Sequence, residues 1–405
     1  MKKEPYLTIE TQAELDAYCH DIIHNPEIDW IAIDTEFIRV DTYFPELSLV
    51  QIQDCLGQAA LIDPIAIMQN ATASNNKPDE LIGQTPLSSL VDLLTDPNTL
   101  KVFHSARQDI EVLYQLANKM PASIFDTQLA ALFFKHGEMA GFARVIEAEL
   151  GHLLDKSQTR TNWHSRPLTQ QQIEYALDDV RFLSPLYQKF IHTLTPEQRK
   201  ALTEDCQALL DETLYKPNPS KAGDKIKGTQ SLKPKQLAIV ERLATWREHF
   251  AITENQPKKW VMSDEVIIDI AKRPPQTLEA LYKVPLIKAS SVKLYGAQWI
   301  KQIDDVFAQA PETWPQLPAK KPALNLQQSA VVDFCFSYAQ QVSLEYGLNI
   351  QSLIHKDDIQ RLMCDPYQPV LKGWRQLLIG QPLQALLQGK QAIKFHNSVL
   401  LLHPL

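Results

Sequence analysis

Trp30-Ile31-Ala32-Ile33-Asp34-Thr35-Glu36 sets two carboxylates two residues apart at the end of an apolar run. A run of that length and composition reads as a buried β-strand, and residues i and i+2 of a strand point to the same face. Asp34 and Glu36 therefore leave the sheet side by side. Two like charges held together are costly unless a cation neutralises them.

Further along, the chain offers two more acids in matching contexts. His104-Ser105-Ala106-Arg107-Gln108-Asp109 follows the strand-like Leu100–His104 and opens a helix expected over Gln108–Asn118. Asp109 then lies in a first helical turn at the carboxyl end of a strand, where sites of α/β sheets form. In Tyr175-Ala176-Leu177-Asp178-Asp179, Tyr175 and Asp179 are one helical turn apart and share a face, whereas Asp178 is rotated away by about 100°. Hard divalent cations such as Mg²⁺ and Mn²⁺ prefer such oxygen donors, and no Cys or His cluster competes for a softer metal. Four acids and a phenol in this order suit the two-metal chemistry of a nuclease. Each piece alone has a plainer reading: a solvent-facing pair on an edge strand, an acid favouring a helix dipole, an aromatic core residue beside a surface acid.

Composition bounds the rest. A chain of 405 residues is expected to hold two to three domains, and its 44% hydrophobic and 22% charged content is that of a soluble protein. No apolar run approaches membrane-spanning length, the N-terminus lacks a signal-peptide core, and five scattered cysteines without CxxC spacing fit a reducing cytoplasm. A net charge of −8 is unlike a nucleic-acid binder, but it hides a basic stretch. Lys216, Lys221, Lys225, Lys227, Lys233 and Lys235 lie in a segment with Asp224 as its single acid, and the segment reads as a flexible basic linker.

Strands are expected at Ile31–Phe37, Leu47–Gln53, Ala59–Asp63 and Leu100–His104, the first three as an antiparallel meander. Helices are expected at Thr127–Phe134, Phe142–Leu150 and Thr169–Leu194. For the last, Thr169 reads as N-cap with Gln172 completing a capping box. The polar Met68–Thr85 stretch reads as a surface insertion, Asp126 as a helix cap, and the chain beyond 232 as helical blocks. Arg160, Trp163 and Arg166 fall in a loop, where arginine can grip phosphate and tryptophan can stack on a base or instead bury as an anchor. His104 either touches phosphate or caps its strand.

These motifs together resemble the Tyr-type DEDD 3′–5′ exonucleases: Asp34-x-Glu36, His104-x4-Asp109 and Tyr175-x3-Asp179. The strings Phe125-Asp126-Thr127-Gln128, Leu154-Asp155-Lys156-Ser157, Thr159-Arg160-Thr161-Asn162-Trp163 and Arg166-Pro167-Leu168-Thr169 look like those of the bacterial ribonuclease D family. Arg242, Leu243, Trp246, Arg247, Pro257, Val261, Asp264, Ile270-Ala271 and Pro274 resemble an HRDC domain. The resemblance implies an α/β ribonuclease H-like exonuclease domain with a mixed sheet (1–215), then the basic linker (216–232). An HRDC domain (233–303), a Pro-rich linker (304–324) and a second, divergent HRDC-like domain (325–405), both all-α, would follow. It further implies two divalent metal ions, Mg²⁺ or Mn²⁺, held by Asp34, Glu36, Asp109 and Asp179, with Tyr175 and Glu36 as catalytic residues. His104, Arg160, Trp163 and Arg166 would be substrate contacts. The expected partner is RNA, chiefly tRNA precursors and other small structured RNAs, acted on by a cytoplasmic monomer without a membrane. A DNA exonuclease, an inactive RNA-binding protein and a helicase-associated adaptor are the alternatives. Oligomer cleavage, retention of all four acids, and the absence of a Walker A sequence discriminate among them.

Overall fold

The computed structural model describes residues 5–73, 86–316, 324–397 and 399–405. Most of the Met68–Thr85 stretch, residues 74–85, lies outside the described residues; Met68–Ala73 finish a helix. The described chain divides into two units. One comprises the residues up to Phe37, Leu47–Glu212 and the residues from 324 onward; the other joins Ile38–Glu46 to residues 213–316.

The first unit opens as β1 (Tyr6–Ile9), α1 (Gln12–His24), β2 (Trp30–Ile38), β3 (Glu46–Asp54), β4 (Ala59–Ile62), α2 (Pro64–Ala73) and α3 (Ser88–Thr95). It continues through β5 (Leu100–Phe103), α4 (Arg107–Ala117), β6 (Ile124–Asp126), α5 (Thr127–Ala130), α6 (Phe142–Leu150), α7 (Gln170–Thr193) and α8 (Pro196–Ala208). The six strands form one sheet in the order β1-β4-β3-β2-β5-β6. It is mixed: β3 and β4 are antiparallel, whereas β1–β4, β2–β5 and β5–β6 are parallel. β2 sits inside this sheet with Trp30, Ile31, Ala32 and Ile33 all buried, which is why four consecutive apolar residues precede the acids.

Three expectations of boundary hold to a residue. α6 covers Phe142–Leu150, and α7 starts at Gln170 behind Thr169, whose hydroxyl caps Gln172 N while the Gln172 side chain returns to the Thr169 N–H. α7 buries Leu177, Val180, Leu183, Leu186 and Phe190, each worth on the order of 1.5–3 kcal/mol as an upper estimate. Tyr187, packed on Trp30 of β2 and Phe125 of β6, fixes its position across the sheet. Short β1 and β6 were not foreseen, and the helix expected over Thr127–Phe134 tightens to 3₁₀ geometry at Ala131–Phe134.

The second unit is helical: α9 (Pro234–Thr253), α10 (Lys258–Val261), α11 (Asp264–Lys272), α12 (Leu278–Leu281) and α13 (Ala289–Phe307). Buried Arg247 explains the spacing of its sequence pattern, since its Nη1 donates to Met262 O and to Asp264 Oδ1, both at 2.8 Å. The basic segment read as a flexible linker is instead part of this core. Ala222, Ile226 and Leu232 are buried with Leu243, Ile267 and Trp299, and a Cβ on Gly223 would lie 3.0 Å from Glu241 Cα. Spaced apolar residues among the lysines supply that packing without helical periodicity. The unit also takes in the β2–β3 connection: Tyr43 Oη donates to Glu248 Oε1 at 2.7 Å, and the Tyr43 and Phe44 N–H groups donate to Asn255 Oδ1.

The C-terminal module of the first unit holds α14 (Leu326–Glu345), α15 (Ile350–Leu353), α16 (Lys356–Cys364), α17 (Gly373–Arg375) and α18 (Gln381–Leu387). It is not all-α. β7 (Gln391–His396) and β8 (Val399–Pro404) form an antiparallel hairpin in which Ile393, Leu400 and Leu402 pack on the helices. Period-2 alternation over only six residues per strand hides easily behind helical blocks. No helix among the described residues is long and apolar enough to cross a membrane.

Candidate active site

Asp34 and Glu36 project from β2 and Asp179 from α7, and oxygen atoms of these three carboxylates all lie within 4.8 Å of one another. Asp109 lies in the first turn of α4 and is buried. The Thr35 hydroxyl donates to Asp109 Oδ1 at 2.6 Å, so the fourth acid is tied to the same strand through the residue between the first two.

What puts Asp109 there is Asp126, at the end of β6. Its carboxylate accepts from Ser105 N and Ala106 N, both at 2.9 Å, at the entry to α4, and from Gln128 N at 2.8 Å at the start of α5. One buried side chain thus satisfies orphan donors of two helices. The expectation of a cap was right for α5; the link to α4 spans about twenty residues and has no local signal. Ser105 takes up the bend with φ 66°, in the left-handed region.

The electrostatics of the cluster are one-sided. Burial raises the pKa of every member: Asp34 and Asp109 well above the carboxylate range, Glu36 to about 10 and Asp179 to about 8. After burial, each is raised by other carboxylates: Asp34 by Asp179, Glu36 by Asp34 first, Asp109 by Asp34, and Asp179 by Asp178. The Thr35 hydrogen bond on Asp109 pulls the other way. Four acids that suppress one another's ionisation and offer hard oxygen donors at short range suit divalent cations, which supply the missing charge. Tyr175, one turn before Asp179, is also pushed up by burial and then by Asp179, so it stays a phenol. Its hydroxyl lies 3.4 Å from Thr159 Oγ1, and its ring stands 6.0 Å from the Trp163 ring. A cleft lined by Leu154, Asp155, Gln171, Glu174, Tyr175 and Asp179 opens beside it.

Among the expected substrate contacts, Arg160 alone is exposed. Arg166 is committed inside the fold. Its Nε and Nη2 donate to the two oxygens of Asp63, Nη2 also to Ser48 O at 2.6 Å, and Nη1 to Trp163 O and Ser165 O. All five guanidinium protons are used, so none is left for phosphate. Trp163 is buried, which decides for the loop anchor. His104 places Nδ1 2.9 Å from Thr127 Oγ1 and Nε2 2.9 Å from Ala140 O, so both ring nitrogens serve the fold rather than a ligand.

A mixed sheet that gathers acids from a central strand and from helices beside it suits a 3′–5′ exonuclease, and the family model of that description matches residues 6–195. The HRDC domain model matches residues 236–303. Ribonuclease D of Sphingobium indicum is 32% identical over 95% of both chains, and that of Zymomonas mobilis is 32% identical over 97% and 96%. Among solved structures, Escherichia coli RNase D, an exoribonuclease involved in structured RNA processing, superposes with a TM-score of 0.77. It is 27% identical over 95% of this chain and 99% of its own. The catalytic core of RRP6 from Trypanosoma brucei shares the fold at a TM-score of 0.53 and 20% identity. The chain belongs to the ribonuclease D family. It is accordingly a nuclease, a hydrolase that acts on RNA.

Proposed function

We propose that this 3′–5′ exoribonuclease removes 3′-terminal nucleotides as nucleoside 5′-monophosphates with the help of two divalent ions, Mg²⁺ or Mn²⁺, and that it acts as a monomer. The observation that carries this reading is the approach of the Asp34, Glu36 and Asp179 oxygens to within 4.8 Å, with no compensating cation among the charges that shift them. Asp34, Glu36 and Asp179, with Asp109 beside them, would hold the ions. Bound there, such ions would lower the pKa of water and offset the charge of the phosphate.

The protein's own groups do the rest. Glu36 and the Tyr175 hydroxyl orient the water toward the terminal phosphorus. Tyr175, held as a phenol, acts by hydrogen bonding and not as a base. Asp109, whose Oδ1 accepts from the Thr35 hydroxyl, would help hold the cation that offsets charge on the leaving 3′-oxygen. Exposed Arg160 is the remaining candidate for a phosphate contact. We assign the substrate to small structured RNAs, tRNA precursors chief among them; the E. coli relative is described as acting in structured RNA processing. The HRDC domain and the C-terminal module would hold the structured body of the RNA.

A 5′-labelled hairpin RNA with a single-stranded 3′ tail tests this directly. The expected result with Mg²⁺ or Mn²⁺ is a ladder that shortens from the 3′ end, halts near the duplex and disappears in EDTA. Folded protein that binds the hairpin yet yields no ladder with either metal would overturn the reading.

A further inference from the structure

We infer that Thr35 is a positioning residue for the reaction: its hydroxyl fixes Asp109 and thereby sets the affinity of the metal position that Asp109 serves. This rests on the metal-site reading above. Successive side chains of a strand leave opposite faces of the sheet. Asp34 and Glu36 therefore share one face of β2 and meet Asp179 of α7, while Thr35 leaves the other face and meets Asp109 of α4. The three consecutive residues serve the two halves of the site from a single stretch of backbone.

The hydrogen bond is short and dry. Thr35 Oγ1 donates to Asp109 Oδ1 at 2.6 Å, and both residues are buried. A carboxylate turns freely about its Cβ–Cγ bond over a broad torsional range. Pinning Oδ1 restricts that freedom, so the carboxylate is already ordered before any ion arrives. Threonine suits the position, because its β-branched side chain has a restricted χ1 in a strand and carries a donor. Partners that orient a metal-binding carboxylate are typically worth about 10–100-fold in metal affinity or activity.

The test uses the full-length chain with Thr35→Val, which keeps the shape and removes the hydroxyl, and Thr35→Ser, which keeps the hydroxyl and removes the methyl. Binding of Mn²⁺ is measured by calorimetry without RNA. Separately, kcat and KM are measured on a single-stranded RNA across a Mg²⁺ titration. For Thr35→Val the expected result is a rise of about tenfold in the weaker Mn²⁺ dissociation constant and in half-saturating Mg²⁺, with kcat reduced and KM for RNA unchanged. Thr35→Ser should restore all three. Thr35→Val that binds Mn²⁺ and turns over like the parent would overturn the inference, as would Thr35→Ser as impaired as Thr35→Val. If Thr35→Val does not fold, Thr35→Ser at parental Mn²⁺ affinity beside a weakened Thr35→Ala gives the same support, and equal impairment of both refutes it. Asp34→Asn separates the two layers. If it retains metal binding and activity, the metal-site reading itself fails; if it is inactive while Thr35→Val is unaffected, the positioning role alone fails.

Discussion

At the scale of single residues, the site stores destabilisation that a cation relieves. Carboxylates with folded pKa values above their unfolded values near 4 bind more protons in the folded state, so stability falls as pH rises. The window runs from about pH 4 up to about 8 for Asp179 and about 10 for Glu36. Metal-free protein should therefore lose Tm between about pH 5 and pH 8, and added Mg²⁺ should raise Tm more at the upper end. Asp34→Asn should flatten that pH dependence, raise the metal-free Tm at pH 8, and cut exonuclease activity by more than about a hundredfold. Thermal melts in EDTA that are level across this range would contradict the coupling. Tyr175→Phe separates orientation from proton transfer. With its phenol raised out of the working range, the substitution should lower kcat by about 10–100-fold and leave the shape of the pH–rate profile intact. A limb that vanishes with the hydroxyl would make Tyr175 a base. Sequence exposed this cluster because strand and helix periodicities place Asp34, Glu36, Tyr175 and Asp179 by local rules. It missed Thr35, since a threonine between two acids looks like any strand residue until its partner 74 positions away is known.

Elements carry the second layer, and two polar residues, Asp126 at the end of β6 and Arg166 in a loop, hold them in place. Asp126 joins the starts of α4 and α5, so Asp126→Ala removes the α5 cap at roughly 1–2 kcal/mol, strands the Ser105 and Ala106 N–H groups, and lets the first turn of α4 shift. Lower Tm together with a raised metal requirement is the expected pair of effects, since Asp109 rides on that turn. A stability loss with parental metal dependence would mean that Asp109 is held by Thr35 alone. Arg166 makes the opposite case. It binds Asp63, whose carboxylate also caps Ile65 N and Ala66 N at the start of α2, and it gathers the carbonyls of β3 and its own loop. Arg166→Ala should cost about 3 kcal/mol or more in denaturant unfolding, by leaving those acceptors buried and unpaired. At a temperature where the variant is folded, KM for RNA should stay near the parent value; a selective rise in KM would reinstate Arg166 as a phosphate contact. An arginine in a polar loop carries the same letters in either role. Only the distances show that all five of its donors are taken, which is why the loop's chemistry was less legible than its position.

Across the whole molecule, composition marks where modules change but not which module packs on which. Glu204 and Asp205 lie on α8, where nothing local in the sequence marks their role. Their partners lie 170 residues away: Trp374 N donates to Glu204 Oε2 at 2.8 Å, and Arg375 Nη1 reaches both oxygens of Asp205 at 2.7 and 3.0 Å. Phe133 meets the Trp374 ring at 5.9 Å, and the Arg375 guanidinium stacks 4.3 Å over that same ring. Ala201 of α8 is buried in the core of the C-terminal module. These ties make the nuclease sheet and the last module one unit, while the HRDC helices form a core of their own. Arg375→Ala should then destabilise the nuclease module itself, by about 1–3 kcal/mol, since it strands Asp205 and uncovers Trp374. The measurement is hydrogen exchange in α8 and in the Ala131–Phe134 turn, with α9 and α13 as internal reference. Faster exchange in the first pair at parental rates in the second is the expected pattern, because helices that share no core open independently. Equal acceleration in all four segments would mean that the chain unfolds as one cooperative body.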